Sequence, residues 1–555
     1  MTQLTGAQLL VRLLERQGVR TIAGIPGGAI LPFYDALSGS ELIRHVLARH
    51  EQGAGFMAQG MARVSGVPQV CIASSGPGAT NLVTAIADAS LDSIPMVIIT
   101  GQVPLSMIGT DAFQEVDIYG ITVPITKHNF LVRSAQELLT VVPEAFRIAM
   151  SGRPGPVLID VPKDVQNQLV DFDELPSPAV PDAGPKLDMD AIEAAAQMIN
   201  AAQRPVLYLG GGVVHSGAAA LAVHLAEQSS LPTTMTLMAL GTMPMDHPLS
   251  VGMLGMHGAR YTNLVLEEAD LLICVGARFD DRAIGRTAQF CPNAKIIHID
   301  IDRSELHKIK NAHVAVNADV STALEALLPR VKVTLRTDWL AQVAELKQRC
   351  PMLFPDVDNP RSHYGLIKAV ADALDDEAVI ATDVGQHQMW VAQAYPFRRS
   401  RQWLTSGGLG TMGFGFPTAI GAALAEPERT VVCFTGDGSF KMNIQELATL
   451  AEEGLNVKIV LMNNNALGLV YQQQSLFYGK RRFASKYRTE PDFVKIAEGF
   501  GVPALDLDKA EDLCAALTEA LNTPGPCLIH ATIDREQFVY PMVPPGGANT
   551  EMIGG

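Results

Sequence analysis

Short runs of consecutive apolar residues alternate along this chain with longer segments whose apolar positions recur every three or four residues. The runs are Val70–Ala73, Met96–Thr100, Val157–Val161, Pro205–Leu209, Leu271–Val275, Lys295–Ile301, Val379–Thr382, Thr430–Thr435 and Lys458–Met462. A strand covered by helices on both faces has no wet side, so its sequence is apolar throughout and lacks the alternation of a half-exposed strand. Helical segments separate the runs. The fold class expected is therefore α/β, built of doubly wound parallel-sheet domains. Two stretches break the rhythm: residues 171–186 carry four prolines and residues 351–360 carry three. Both read as joints. They divide the chain into domains at 1–170, 188–350 and 361–555, with linkers at 171–187 and 351–360. The first and third domains share a crude strand–helix rhythm.

Composition narrows the class. Hydrophobic residues make up 48% of the 555 and charged residues only 18%, enough for several packed cores and unlike a disordered chain. Acidic residues outnumber basic ones by 58 to 42, a net charge of −16, which argues against a nucleic-acid partner. The seven cysteines are odd in number and widely spaced, with no CxxC pair, and read as reduced thiols. No apolar run approaches the roughly 18 residues of a membrane span. The expectation is a cytoplasmic protein without membrane contact.

Candidate chemistry begins in the third domain. The run ending at Thr435 leads into Gly436-Asp437-Gly438-Ser439, then a helical segment, then a second run ending in Asn463-Asn464. A glycine turn at the carboxyl end of a strand lets backbone approach a diphosphate, and the following helix N-terminus favours anions. Asp437 offers a carboxylate oxygen, and Asn464, 27 residues on, an amide oxygen. Such hard ligands suit Mg²⁺ held together with phosphates.

This pattern resembles the thiamin diphosphate motif of a superfamily of decarboxylases and synthases. The resemblance implies Asp437, Asn464 and the Ala466 carbonyl as Mg²⁺ ligands, with Gly436, Gly438 and Ser439 at the diphosphate. Gln386 and His387 match the segment reaching it from the opposite side. In Ser406-Gly-Gly-Leu-Gly-Thr-Met-Gly413, Met412 matches the residue that wedges beneath the cofactor, and Gly410 the carbonyl that accepts from its amino group. In the first domain, Glu51 of Leu47-Ala-Arg-His-Glu-Gln-Gly-Ala-Gly55 matches the glutamate that hydrogen-bonds the aminopyrimidine. Gly28 of Gly24-Ile-Pro-Gly-Gly28 and Asn81 of Ser75-Gly-Pro-Gly-Ala-Thr-Asn81 match cofactor-facing loops. Phe113 and Gln114, in Gly109-Thr-Asp-Ala-Phe-Gln-Glu115, and Lys163 match positions near the reaction centre or substrate channel.

The middle domain sharpens the resemblance. Gly210, Gly211 and Gly212 follow one run, and Gly276-Ala-Arg-Phe-Asp-Asp-Arg282 follows another. A clean GxGxxG is missing, so the residues alone point only weakly to a nucleotide. Together with RHEQGAG and GTDAFQE, however, the chain resembles the acetohydroxyacid (acetolactate) synthase large subunits over essentially its whole length, and within them the enterobacterial isozyme I branch. That implies FAD, without a net redox role, against Arg153, Gly210, Gly211, Gly212, His257, Gly258, Gly276, Ala277, Arg278, Asp300 and Asp319. It implies decarboxylation of pyruvate and ligation of the two-carbon unit to a second 2-oxoacid, pyruvate or 2-oxobutanoate, in branched-chain amino-acid biosynthesis. Arg282 matches the arginine that binds the acceptor's carboxylate. Gln473 stands where many relatives carry a tryptophan that packs on the acceptor's extra methyl group, which implies a weaker preference for 2-oxobutanoate. The implied assembly is a homodimer or larger, with Glu51's domain meeting the GDG domain of another subunit, plus a small regulatory subunit that binds branched-chain amino acids. The competing reading is a pyruvate oxidase or another carboligase of the superfamily.

Overall fold

The computed structural model describes residues 2–554. Three six-stranded sheets, parallel throughout, dominate it. In the first, the spatial order is Arg44–Leu47, Thr21–Gly24, Gln69–Ala73, Met96–Gln102, Pro156–Pro162 and His128–Leu131. Numbered by appearance in the domain, this is 2-1-3-4-6-5. The third sheet has the same order: Trp403–Leu404, Val379–Thr382, Val431–Gly436, Val457–Asn463, Cys527–Thr532 and Ala504–Asp506. The shared rhythm of the outer domains is thus a shared topology. The middle sheet runs Ser250–Met253, Thr233–Met235, Pro205–Leu209, Leu271–Val275, Lys295–Asp300 and Val314–Asn317, the 3-2-1-4-5-6 order of a dinucleotide-binding domain.

The apolar runs all fall on strands, and the burial pattern explains why. Every residue of Met96–Gln102, Pro156–Pro162 and Val457–Asn463 is buried, since helices cover both faces. Residues 173–188 and 350–362 form neither helix nor strand. Just before the first of these stretches, Leu169–Phe172 pairs antiparallel with Thr2–Thr5. No helix among the described residues is long and apolar enough to cross a membrane.

The outer domains meet along two helices, Glu51–Ser65 and Gly415–Ala425. Glycines make the approach possible. A Cβ on Gly60 would lie 2.1 Å from the Thr418 carbonyl oxygen, and one on Gly421 would lie 1.9 Å from that of Met57. Backbone therefore packs on backbone, and any side chain at either position would separate the domains. Within the chain, the helix that Glu51 opens thus packs directly on a helix of the third domain.

Candidate active site

In a doubly wound sheet the ligand crevice opens at the carboxyl ends of the strands where the strand order reverses. In the third sheet that point lies between the neighbouring strands Val379–Thr382 and Val431–Gly436. One strand leads into helix Gln386–Ala394 and the other into the turn Asp437–Phe440. His387 and Asp437 are thereby brought to one crevice. A Cβ on Gly436 would lie 2.9 Å from His387 Nδ1, so glycine is required for the ring to sit there.

Asp437 is 1% exposed. Its Oδ2 takes the Lys441 ammonium at 3.2 Å, while its Oδ1 is buried with no partner among the described residues. Burial raises the carboxyl's pKa, and Lys441 opposes that shift. His387 Nε2 is also buried without a partner. Burial pushes this imidazole down to about 3, so it is neutral at physiological pH. An unsatisfied buried polar atom costs about 1–3 kcal/mol. Two of them in one crevice fit a ligand that supplies a cation and hydrogen-bonding groups there.

The adjacent strand Val457–Asn463 delivers Asn464. Its Nδ2 donates to Gln386 Oε1 at 3.1 Å, and its Oδ1 accepts from Ala466 N at 3.1 Å. Gln386 Nε2 in turn donates to Gln472 Oε1 at 3.0 Å, so the four residues hold one another. Ser439 Oγ donates to the Val384 carbonyl at 2.9 Å. The loop 406–413 closes the crevice: a side chain on Gly438 would meet Met412 Cε at 3.4 Å and the Tyr487 hydroxyl at 3.0 Å. Gly410 has φ +71° and is exposed.

From the first domain, Glu51 opens its helix, and Asn81 Nδ2 donates to Glu51 Oε2 at 2.9 Å. Asn443 Nδ2 donates to both Gly413 O, at 2.6 Å, and Gln52 Oε1, at 3.3 Å, which ties the residue after Glu51 to the end of the Met412 loop. Glu446 is fully buried and accepts from Arg49 N at 3.1 Å. Gln114, with φ +61°, packs over Gly76, while neighbouring Phe113 is 87% exposed. Gly28 is exposed in the loop after Thr21–Gly24, and Lys163 opens a short helix at the end of Pro156–Pro162.

A cavity of about 900 Å³ runs from Arg153 and Glu305, past the middle sheet, to Gly410 and Gln473. Gly210, Gly211, Gly212, His257, Gly276, Ala277, Arg278, Asp300, Asp319 and Arg282 line it. It opens where strand order reverses, between Pro205–Leu209 and Leu271–Val275. Gly212 and Gly276 pack backbone on backbone, 2.7 Å from where the other's Cβ would lie. Size, glycine cradle and arginines suit a dinucleotide such as FAD. Gly258 is the exception among the expected residues: it packs in a turn against Met253 and Leu254 and does not line the cavity. Asp319 also caps helix Val320–Leu327. Asp300 is pushed up to about 6, mainly by burial. Arg282, with its side chain 68% exposed, has only loose contacts, 3.8 Å to Asp281 and 3.9 Å to the Met256 sulfur, so its fork can take a further anion.

Comparison with known proteins decides the family. Thiamine pyrophosphate enzyme domains match in three pieces: the N-terminal TPP binding domain over 4–121, the central domain over 192–327 and the C-terminal TPP binding domain over 383–531. The chain is 64% identical to the acetolactate synthase isozyme 1 large subunit of Escherichia coli (strain K12), over 99% of this chain and 98% of that one. The chain belongs to the acetolactate synthase large-subunit family. It is 46% identical to isozyme 2 of the same organism, over 99% of both chains. It is 45% identical to a probable acetolactate synthase large subunit of Methanocaldococcus jannaschii, over 99% of this chain and 95% of the relative.

Several residues at this family member's site carry no motif. Arg63, Asp88 and Asp92 are buried beside the 406–413 loop, and Lys441 and Glu446 flank the crevice. One signal was present: Asp88 is the lone charge in the otherwise uncharged helix Val83–Leu91.

Proposed function

We propose that this chain is the catalytic large subunit of an acetolactate synthase, which decarboxylates pyruvate and joins the two-carbon unit to a second 2-oxoacid. The observation that carries this reading is the pair of partnerless buried atoms, Asp437 Oδ1 and His387 Nε2, on neighbouring segments at the carboxyl ends of two adjacent strands. Asp437, Asn464 and the Ala466 carbonyl would hold Mg²⁺. Gly436, Gly438, Ser439, Gln386 and His387 would hold the diphosphate. Thiamin diphosphate, when bound, supplies the electron sink that no side chain offers.

The chain's residues orient and protonate around that group. Glu51 would hold a proton at the aminopyrimidine, and Asn81 steadies its carboxylate. Met412 and Gly410 would fix the ring's attitude from the other domain. Arg282 would bind the acceptor's carboxylate, for which its planar fork is suited. Gln114 and Lys163 would flank the substrate path. FAD would occupy the middle cavity against Arg153, the two glycine turns and Arg278, a cavity that Arg282 and Gln473 also line. The relatives' names as large subunits support a small regulatory partner, and exposed Phe113, Tyr119, Ile121 and Val123 support a homodimer that covers them.

The test is a thiamin diphosphate- and Mg²⁺-dependent acetolactate assay on the purified flavoprotein. Pyruvate consumption with matching use of an electron acceptor and no acetolactate would instead favour an oxidase. Gln473 lines the cavity from helix Gly468–Phe477. Recognition of one methylene by an apolar surface is worth about 1–3 kcal/mol. Gln473→Trp is therefore expected to raise preference for 2-oxobutanoate over pyruvate by about tenfold or more. Product ratios from mixed substrates measure it, and an unchanged ratio would remove Gln473 from acceptor choice.

A further inference from the structure

We propose that Asp88 and Asp92 are positioning residues: two buried carboxylates of the first domain that fix the third domain's loop 406–413, and with it Gly410 and Met412. This rests on the reading of that loop given above. Asp88, Asp92 and Arg63 are 0%, 5% and 6% exposed. Asp88 Oδ2 accepts from Ser406 Oγ and, at 2.6 Å, from Thr411 Oγ1. One oxygen therefore ties both ends of the turn. Ser406 Oγ also accepts from Thr411 N at 2.9 Å. Asp92 accepts the backbone N–H of Gly407 at 3.1 Å and of Gly408 at 2.7 Å, together with Arg63 Nη2 at 2.8 Å. Arg63 Nη1 donates to the Thr405 carbonyl at 3.0 Å.

Stability does not account for this arrangement. Two carboxylates share one guanidinium, and a buried ion cluster is often no more stable than an apolar replacement. Asp88 Oδ1 has no hydrogen-bond partner, and Arg63 Nη2 stands 3.5 Å from it. Burial and the neighbouring Asp92 raise the Asp88 pKa, a sign that the carboxylate is held there at a cost. What the cluster does provide is directional bonds to the loop, two to backbone and two to hydroxyls. Between the pinned residues 408 and 411, Gly410 has a left-handed φ of +71° and no neighbour near its Cβ position. The loop is thus fixed at its ends and presents Gly410 between them. A misplacement of about 1 Å by a residue remote from the chemistry can cost about 10²-fold in rate.

The test is a double-mutant cycle on the purified full-length holoenzyme with Asp88→Asn, Thr411→Val and both. Asp88→Asn is expected to lower kcat by about tenfold or more while KM for pyruvate changes by no more than about twofold, because the fault lies in orientation. Thr411→Val is expected to lower kcat several-fold, and the double variant to be no slower than Asp88→Asn within about twofold, because both act through one contact. The near-UV circular dichroism of bound thiamin diphosphate is expected to change in Asp88→Asn while flavin content and melting temperature stay at wild-type levels. Wild-type kcat in Asp88→Asn, or independent multiplicative losses in the double variant, would overturn the proposal. If Asp88→Asn does not fold, Ser406→Ala and Thr411→Val decide from the loop side, and full kcat in both overturns it. A wild-type enzyme that makes no acetolactate would instead overturn the functional reading.

Discussion

Glu51→Gln is expected to reduce acetolactate formation by about 10²-fold or more while leaving the folded protein unchanged, the size of loss typical when a positioned acid–base group is removed. The substitution keeps shape and length. The glutamine's amide oxygen can still accept from Asn81 Nδ2, the one side-chain hydrogen bond that Glu51 makes among the described residues. What it removes is the ability to take and hold a proton. The fold should tolerate this, because Glu51 is half-buried at the first helical position and its carbonyl and amide are untouched. The structural loss is a negative charge near a helix N-terminus, worth about 0.3–1 kcal/mol. The measurements are kcat with saturating thiamin diphosphate and Mg²⁺, far-UV circular dichroism and flavin retention. Turnover within a few-fold of wild type would remove Glu51 from the mechanism. Loss of flavin or helix content would mean that the residue is structural.

How much of this was legible in the sequence depended on how local the cause was. Strands covered on both faces are apolar from end to end, so Val157–Val161 or Lys458–Met462 can be read without neighbours. Glycine loops at the carboxyl ends of such strands can be read as well, and Gly436–Ser439, Gly210–Gly212 and Gly276 all lie at points where strand order reverses. Contacts between distant segments could not be read. Ser406 finds Asp88 across 318 residues, and Arg49 finds Glu446 across 397. Gly60 looks like a defect in its helix, costing about 1 kcal/mol against alanine, until the backbone of Thr418 is seen against it. Asp171 and Phe172 pair with Gln3 and Thr2, partners that no local pattern announces. Gly258, which the resemblance places with His257 among the FAD contacts, packs in a turn against the backbone of Met253 and Leu254, a contact its own neighbours in sequence do not announce.

Asp437→Asn is expected to abolish the thermal stabilisation that thiamin diphosphate and Mg²⁺ confer, while leaving the cofactor-free protein as stable as wild type or slightly more so. The two halves of this prediction come from the two carboxylate oxygens. Oδ1 is buried and unpartnered, and burial is the leading cause of the raised pKa. Neutralising the group relieves a desolvation cost that Lys441 offsets only in part and that a bound cation would offset further. Oδ2 takes Lys441, but that lysine also lies 3.6 Å from the centre of the Tyr487 ring, so it keeps a favourable contact when the charge is gone. A ligand that binds only the native state stabilises it in proportion to the logarithm of its concentration over Kd, about 2.7 kcal/mol at a hundredfold excess. Wild type should therefore melt several degrees higher with cofactor and Mg²⁺ than without. The variant should show no shift at the same concentrations, and chelating the metal should bring wild type down to its own cofactor-free value. A shift in Asp437→Asn equal to that of wild type would show that the cation is held elsewhere. A collapse of the cofactor-free variant would mean that the Lys441 pair, rather than the unfilled Oδ1, dominates the energetics of the crevice.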